Sequence, residues 1–215
     1  MDILVLAANP DDEVIGMGGT MYKMHKQGHK VHLCVVSDGA SSENKDKTKI
    51  SKIRLNDCVK SGKILGVSTF DFLNFPDMRL DSIPQVEINL KLEELIEKYN
   101  PTTVYTPPSR DFHKDHQKVY DCALVATRPN ASNVRKVYSY ELPGAIKTPF
   151  FPNAYENIEK ELAHKIKAFK CYKTEIEQFP HPRSFLAIEN LAIQRGVESG
   201  LKRAEAFQLV RSISN

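Results

Sequence analysis

The sequence predicts an α/β fold: a doubly wound sheet with helices on both faces. Short apolar runs at 3–7, 30–37, 69–73 and 103–105 alternate with longer stretches at 14–27, 50–65 and 85–99 in which apolar residues recur at helical spacing. Two of those stretches stop at Gly28 and Gly66, the residue type that most readily closes a helix. Such alternation makes successive strands parallel through right-handed crossovers, giving a Rossmann-like, mostly parallel sheet. With 215 residues and no repeat, low-complexity tract or linker, residues 1–215 read as a single domain.

The first strand, 3–7, runs directly into Ala8-Asn9-Pro10-Asp11-Asp12-Glu13 and then Gly16-Met17-Gly18-Gly19. A strand in this position delivers the residues at its C-terminal end to the carboxyl edge of the sheet, where open α/β folds hold their ligands. Three consecutive acids repel one another, so they require a helix N-terminus, a cation or water. Taken alone the run is equally well read as a turn, with Asn9-Pro10 starting it and Asp11 or Asp12 capping the next helix. The glycines permit close packing of that helix on the sheet. As a dinucleotide turn the pattern lacks its third Gly, since Met21 stands there, and the acids would repel a pyrophosphate.

The helix at 14–27 and the second strand, 30–37, lead to Asp38-Gly39. The polar stretch 41–48 reads as a loop over the same sheet edge, of the kind that covers or selects substrate, and the Lys-rich 45–52 most simply as a solvated face. After the helix at 50–65, the strand at 69–73, the helix at 85–99 and the strand at 103–105 comes Asp111-Phe112-His113-Lys114-Asp115-His116. A helix beginning near Asp115 puts His113 and His116 on adjacent faces of its first turn with an acid between them. That is the pattern of a metal ligand, a titrating imidazole and an orienting carboxylate. The helix runs to about Thr127, a strand follows at 136–141, and 142–154, with three prolines, is irregular. Two helical segments, 158–178 and 183–213, divided by Phe179-Pro180-His181-Pro182, complete a helical C-terminal elaboration.

Bulk properties narrow the classes. The net charge is only +3 and the basic residues are scattered, which argues against nucleic acid as a partner. Cys34, Cys58, Cys122 and Cys171 form no CxxC pair and read as reduced thiols. With no apolar run of eighteen residues and no basic, apolar leader, the expectation is a cytoplasmic protein without a membrane span. No Gly-x-Ser-x-Gly elbow supports a serine hydrolase. His25, His29 and His32 read as structural or solvated, and self-association is compatible with the sequence.

Together, the run Asn9 to Glu13, the Gly16-x-Gly18-Gly19-Thr20 turn and His113-x-Asp115-His116 resemble the zinc-dependent N-acetylglucosaminyl deacetylases called PIG-L or LmbE-like. The likeness continues through Arg54, Leu65-Gly66-Val67, Pro76-Asp77, Arg128-Pro129, Pro182-Arg183-Ser184, Arg195-Gly196 and Ala204-Glu205-Ala206-Phe207, a tail similar to the branch found with bacterial surface-polysaccharide synthesis. The resemblance implies hydrolysis of an N-acetylated amino sugar or sugar conjugate of the N-acetylglucosamine type. It implies Asp11 as general base, Asp12 and His116 as zinc ligands, His113 as the group that stabilises or protonates the intermediate, and Asp115 as the orienting carboxylate. Arg54 and Asp77 match positions that contact or frame the sugar. The chemistry is coherent, since amide hydrolysis benefits from a Lewis acid on the carbonyl, an activated water and an acid for the leaving amine.

The first ligand of the family pattern is a histidine, and this chain has Asn9 there. A neutral amide oxygen is a weaker donor to zinc than imidazole. Three readings stand open: Asn9 binds the metal through its oxygen, with a preference for a harder divalent ion; His181 supplies the missing nitrogen; or the site holds no metal and the cleft binds a carbohydrate or a partner without turnover. Glu205 reads either as a helix-surface carboxylate or as a pocket residue.

Overall fold

The computed structural model describes residues 1–40, 46–144 and 147–214. A central strand β1 (Asp2–Ala7) lies between β2 (Lys30–Ser37), which is followed outward by β3 (Thr69–Phe75), and β4 (Thr103–Thr106), which is followed by β5 (Lys136–Tyr140). These five strands are parallel, as the alternation predicts. The edge beyond β5 is antiparallel: β7 (Ala204–Ser212) pairs with β5, and β6 (Ala154–Asn157) pairs with β7.

β1 is buried on both faces and its side chains divide between two cores. Ile3, Val5 and Ala7 meet one cluster with α1 (Asp12–Lys26), α2 (Lys47–Leu65), α5 (Leu162–Phe169) and α6 (Phe185–Ser199). Leu4, Leu6 and Ala8 meet the other with α3 (Gln85–Tyr99) and α4 (Lys114–Ala126). Period-two alternation in a strand covered on both sides accounts for its unbroken apolar run. The order in which strands are added switches sides between β1 and β4, so the segments leaving those two parallel strands diverge to opposite faces and open one crevice at the carboxyl edge.

Three segments depart from the sequence expectation. The helix expected at 158–178 is only α5, and the one expected at 183–213 is α6 followed by β7. α6 is closed at both ends: the Ser184 side chain accepts from the Ala187 N–H, and Gly200 stands at φ +72°. Beyond Gly200 the Ala- and Glu-containing run favours helix by propensity, but two partner strands supply its backbone bonds and tertiary pairing prevails. β6 begins at Ala154, the last residue of the stretch expected to be irregular, and fills 155–157, to which the sequence assigned no element. Of the loop expected at 41–48, residues 41–45 lie outside the described residues, and α2 begins at Lys47 with Asp46 accepting from the Lys49 N–H at 3.2 Å.

α1 is kinked at Met17, whose φ of −149° and ψ of 25° are not helical. Close packing explains Gly16, since a Cβ there would lie 2.3 Å from a ring carbon of the buried Tyr140. Just after the kink the Gly19 and Thr20 N–H groups donate to Glu205 at 2.9 and 2.7 Å, joined by the Thr20 hydroxyl at 2.6 Å. Lys165 of α5 completes this buried carboxylate at 2.6 Å. Glu205 therefore caps the second half of α1 from across the sheet. Among the described residues, no helix is long and apolar enough to cross a membrane, and all four cysteines are free.

Removing one partner of a buried ion pair strands the other. Glu205→Ala is expected to cost about 3–5 kcal/mol and lower Tm by about 6–20 °C, read by urea and thermal unfolding. Glu205→Gln combined with Lys165→Met is expected to lose clearly less. A Glu205→Ala loss below about 1 kcal/mol would refute the capping role.

Candidate active site

The crevice between the ends of β1 and β4 brings Asn9, Asp11 and Asp12 against His113, Asp115 and His116, with Arg54 and Asp77 at its walls. Asp12 has a partner for each oxygen: its Oδ2 accepts the Asn9 N–H at 2.8 Å, and its Oδ1 lies 3.4 Å from His116 Nε2. The other nitrogen of that ring, Nδ1, is 2.7 Å from Asp111 Oδ2. Carboxylate, histidine and a second carboxylate in series fix the ring so that Nε2 faces Asp12, which is how metal-binding histidines are held. Burial opposes charge on Asp12, but His116 and the Asn9 N–H outweigh it and hold the carboxyl below its usual range. Burial likewise opposes charge on His116, and the two aspartates override it and raise the imidazole.

This donor set fits a divalent cation. Asp12 and His116 offer one oxygen and one nitrogen in a water-poor, anionic crevice with the outer carboxylate already in place. Asn9 stands beside them, its Oδ1 accepting the Ser37 hydroxyl at 2.6 Å, so the third corner is a neutral amide whose oxygen is already engaged. His181 is exposed in the turn before α6, with its Nδ1 accepting the Arg183 N–H at 3.1 Å. A second group, Asp77, His113 and Asp115, also brings three donor atoms within 4.8 Å of one another. Here both Asp115 oxygens accept backbone N–H groups, from Met78 at 2.8 Å and Leu80 at 3.0 Å. Those bonds pin the segment carrying Asp77 to the first turn of α4, where His113 stands.

His113 caps α4 by accepting the Asp115 N–H on Nδ1 at 3.2 Å. An accepting Nδ1 places the proton of the neutral ring on Nε2, as a donor. The ring stacks on that of His116 at 4.5 Å between centroids.

Asp11 has no solvent exposure and a backbone at φ +120° and ψ −23°, a conformation L residues seldom adopt. Neither carboxylate oxygen accepts an aligned hydrogen bond from any donor among the described residues. What faces them is cationic: Arg183 Nε lies 3.1 Å from Oδ2 and Arg54 Nη2 lies 3.5 Å from Oδ1. Burial raises the carboxyl, the two arginines pull it back and Asp12 pushes again, leaving it at about 7. A buried carboxylate with both lone-pair sets unspent is rare in a native interior and points to chemistry. Arg54 itself is nearly buried and donates to the carbonyls of Gly39 at 2.6 Å and Pro10 at 3.0 Å, tying the ends of β2 and β1 together.

Several members of this constellation carry little signal in the sequence. Asp111 lies within the second motif, five residues before His116, and its acid-histidine spacing is the available signal. Glu175 and Arg183 arrive from far downstream: Glu175 carries no local signal, and Arg183 stands in the Pro182-Arg183-Ser184 run of the resemblance without any sign of its partner. Glu13 is fully buried, accepts the Asp11 N–H at 3.1 Å and is bonded by the Tyr172 hydroxyl.

A family model described as "PIG-L: GlcNAc-PI de-N-acetylase" matches residues 4–127, the span holding both motifs. Among curated relatives, an uncharacterized deacetylase of Escherichia coli K12, YaiS, is 28% identical over 180 residues, covering 80% of this chain and 90% of its own. The diacetylchitobiose deacetylase of Thermococcus kodakarensis is 25% identical over 98% of this chain and 84% of its own. The solved structure of GalB, a 4-carboxy-2-hydroxymuconate hydratase from Pseudomonas putida, superposes with a TM-score of 0.81 at 20% identity, covering 100% of this chain and 98% of that one. The fold is thus shared across different chemistries, and the residues of the crevice must decide between them.

Glu13 gives a pH dependence. Burial raises its carboxyl from 4.5 to about 8, so the folded state holds a proton that the unfolded chain releases. Its contribution to stability is complete below the unfolded value and lost as pH climbs through about 8. Glu13→Gln is expected to flatten the fall in unfolding free energy between about pH 6 and 8.5; an unchanged slope would mean Glu13 is charged in the fold.

Proposed function

Because the chain belongs to the PIG-L family, we propose that it is a divalent-metal-dependent hydrolase that removes the N-acetyl group of an amino sugar or sugar conjugate, releasing acetate and a free amine. The observation that carries this reading is Asp11, a buried carboxylate with unspent lone pairs beside the Asp12–His116 pair. The relatives named as deacetylases, one of them for diacetylchitobiose, support the N-acetylated sugar as substrate class. A neutral sugar also suits a crevice in which Asp11, Asp12, Asp77, Asp111, Asp115 and Glu175 outnumber the cationic groups. Zinc is the ion the resemblance implies.

A cation held by Asp12 and His116, with Asn9 at the third corner, would polarise the amide carbonyl and activate a water. Asp11 is the base. Its backbone directs the carboxylate into the crevice, its lone pairs are free of protein donors, and a value near neutrality suits both taking a proton from water and passing it to the leaving amine. Asp11 and Asp12 divide the labour because consecutive residues at the turn point apart, one toward the arginines and one toward His116. His113 donates from Nε2 to the oxygen on which charge develops. Asp111 orients His116, while Asp115 holds Asp77 beside His113, and Asp77 Oδ1, buried and without a donor partner among the described residues, is placed to receive a sugar hydroxyl.

Metal content separates this reading from a silent carbohydrate-binding member of the same family. After equilibration with zinc and removal of excess, the parent is expected to retain near one equivalent by elemental analysis, and Asn9→His to bind at least about 10- to 100-fold more tightly. No metal in the parent with one equivalent in Asn9→His would transfer the assignment to the binding reading. With N,N'-diacetylchitobiose as probe, Asp11→Asn is expected to keep the fold and lose turnover by about 100-fold or more. Parental turnover by Asp11→Asn would remove Asp11 as the base.

A further inference from the structure

We infer that Arg183, seated by Glu175, is a positioning residue for Asp11: the C-terminal elaboration reaches back to hold the base in its working orientation. The inference rests on Asp11 being the base, as proposed above. The family match ends at residue 127, so neither Arg183 nor Glu175 is assigned by it.

Four charges from three separate segments, the turn before α1, α2 and the connection between α5 and α6, close into a ring. Arg183 Nε lies 3.1 Å from Asp11 Oδ2, and Arg183 Nη1 donates to Glu175 Oε2 at 3.1 Å. The same Glu175 oxygen is 3.2 Å from Arg54 Nη2, which returns to Asp11 Oδ1 at 3.5 Å. With Asp11 ionised, two guanidinium groups and two carboxylates sum to zero, so the ring holds charged groups in the crevice wall without adding net charge to it. The two arginines are not equivalent. Arg54 is anchored by two backbone carbonyls and would stay in place without Asp11. Among the described residues, the Arg183 guanidinium forms ion pairs only with Asp11 and Glu175, and 37% of the side chain is exposed.

Arg183 contacts Asp11 without an aligned hydrogen bond. It therefore fixes the position of the carboxylate through charge while leaving the lone pairs for a water. Asp11 needs such a restraint, because its positive φ is a conformation that relaxes when its surroundings permit. A carboxylate displaced by about 1 Å loses on the order of 100-fold in rate while substrate binding is untouched. An arginine that bound the sugar instead would act on KM.

The test uses the metal-loaded protein with N,N'-diacetylchitobiose and the metal-free protein in urea. Arg183→Ala is expected to lower kcat by about 100-fold with KM within about twofold of the parent, Arg183→Lys to recover little, and millimolar guanidinium to restore part of the Arg183→Ala rate. In metal-free protein, Arg183→Ala is expected to change the unfolding constant at least about fivefold less in an Asp11→Asn background than in the parent, the signature of a direct coupling. A raised KM with unchanged kcat, or additive effects in the unfolding cycle, overturns the inference. The two layers fail separately: parental turnover by Asp11→Asn sinks the functional reading, whereas a dead Asp11→Asn beside a fully active, folded Arg183→Ala sinks only the role of Arg183.

Discussion

Burying three consecutive carboxylates at the end of β1 is the constraint around which the rest of the molecule is arranged. Desolvation of an unpaired carboxylate is too costly to leave uncompensated. The chain answers differently at each position. Asp12 stays ionised because His116 and a backbone N–H face it. Glu13 keeps its proton and bonds Tyr172 in the core. Asp11 is flanked by two guanidinium groups that oppose its desolvation without occupying its lone pairs. One carboxylate is thereby suited to a metal, one to the fold and one to proton transfer.

The topology and the compensation are linked. The switch between β1 and β4 opens the crevice, and every element that meets it contributes a charge: α2 gives Arg54, α4 gives His116, the segment after β3 gives Asp77, and the tail gives Glu175 and Arg183. Asp115 illustrates the economy of the arrangement. Both of its oxygens are used on backbone N–H groups of a segment that contains Met78 at φ +57°, so a residue of the His113-x-Asp115-His116 motif also secures a strained turn.

Local signals suffice for about the first three-fifths of the chain. Strands and helices up to Thr127 follow from apolar periodicity and Gly stops, and both motifs stand on strand ends, so their convergence follows from a parallel doubly wound sheet. The features that local pattern misses depend on distant partners. β7 carries Ala and Glu, which favour helix, and becomes a strand only because β5 and β6 receive it. Glu205 looks like a surface acid until its donors are known, and Arg183 looks like any arginine in a proline-rich turn. Asp111 is the legible omission: it lies in the same hexapeptide as the two histidines, where an acid that orients one of the rings is an expected companion.

The kink in α1 has a consequence for the order in which the molecule assembles. Its uncapped N–H groups at Gly19 and Thr20 find their acceptor 186 and 185 residues later, on β7. As the chain leaves the ribosome, the first helix emerges with its second half unsupported, and nothing synthesised before Glu205 supplies that carboxylate. Closing a loop of this length is slow relative to local helix formation. A helix made early is thus among the last to be secured, and a nascent chain halted short of β7 would expose an unfinished helix to chaperones and proteases, making arrival of the antiparallel edge the event that commits the domain to its native state.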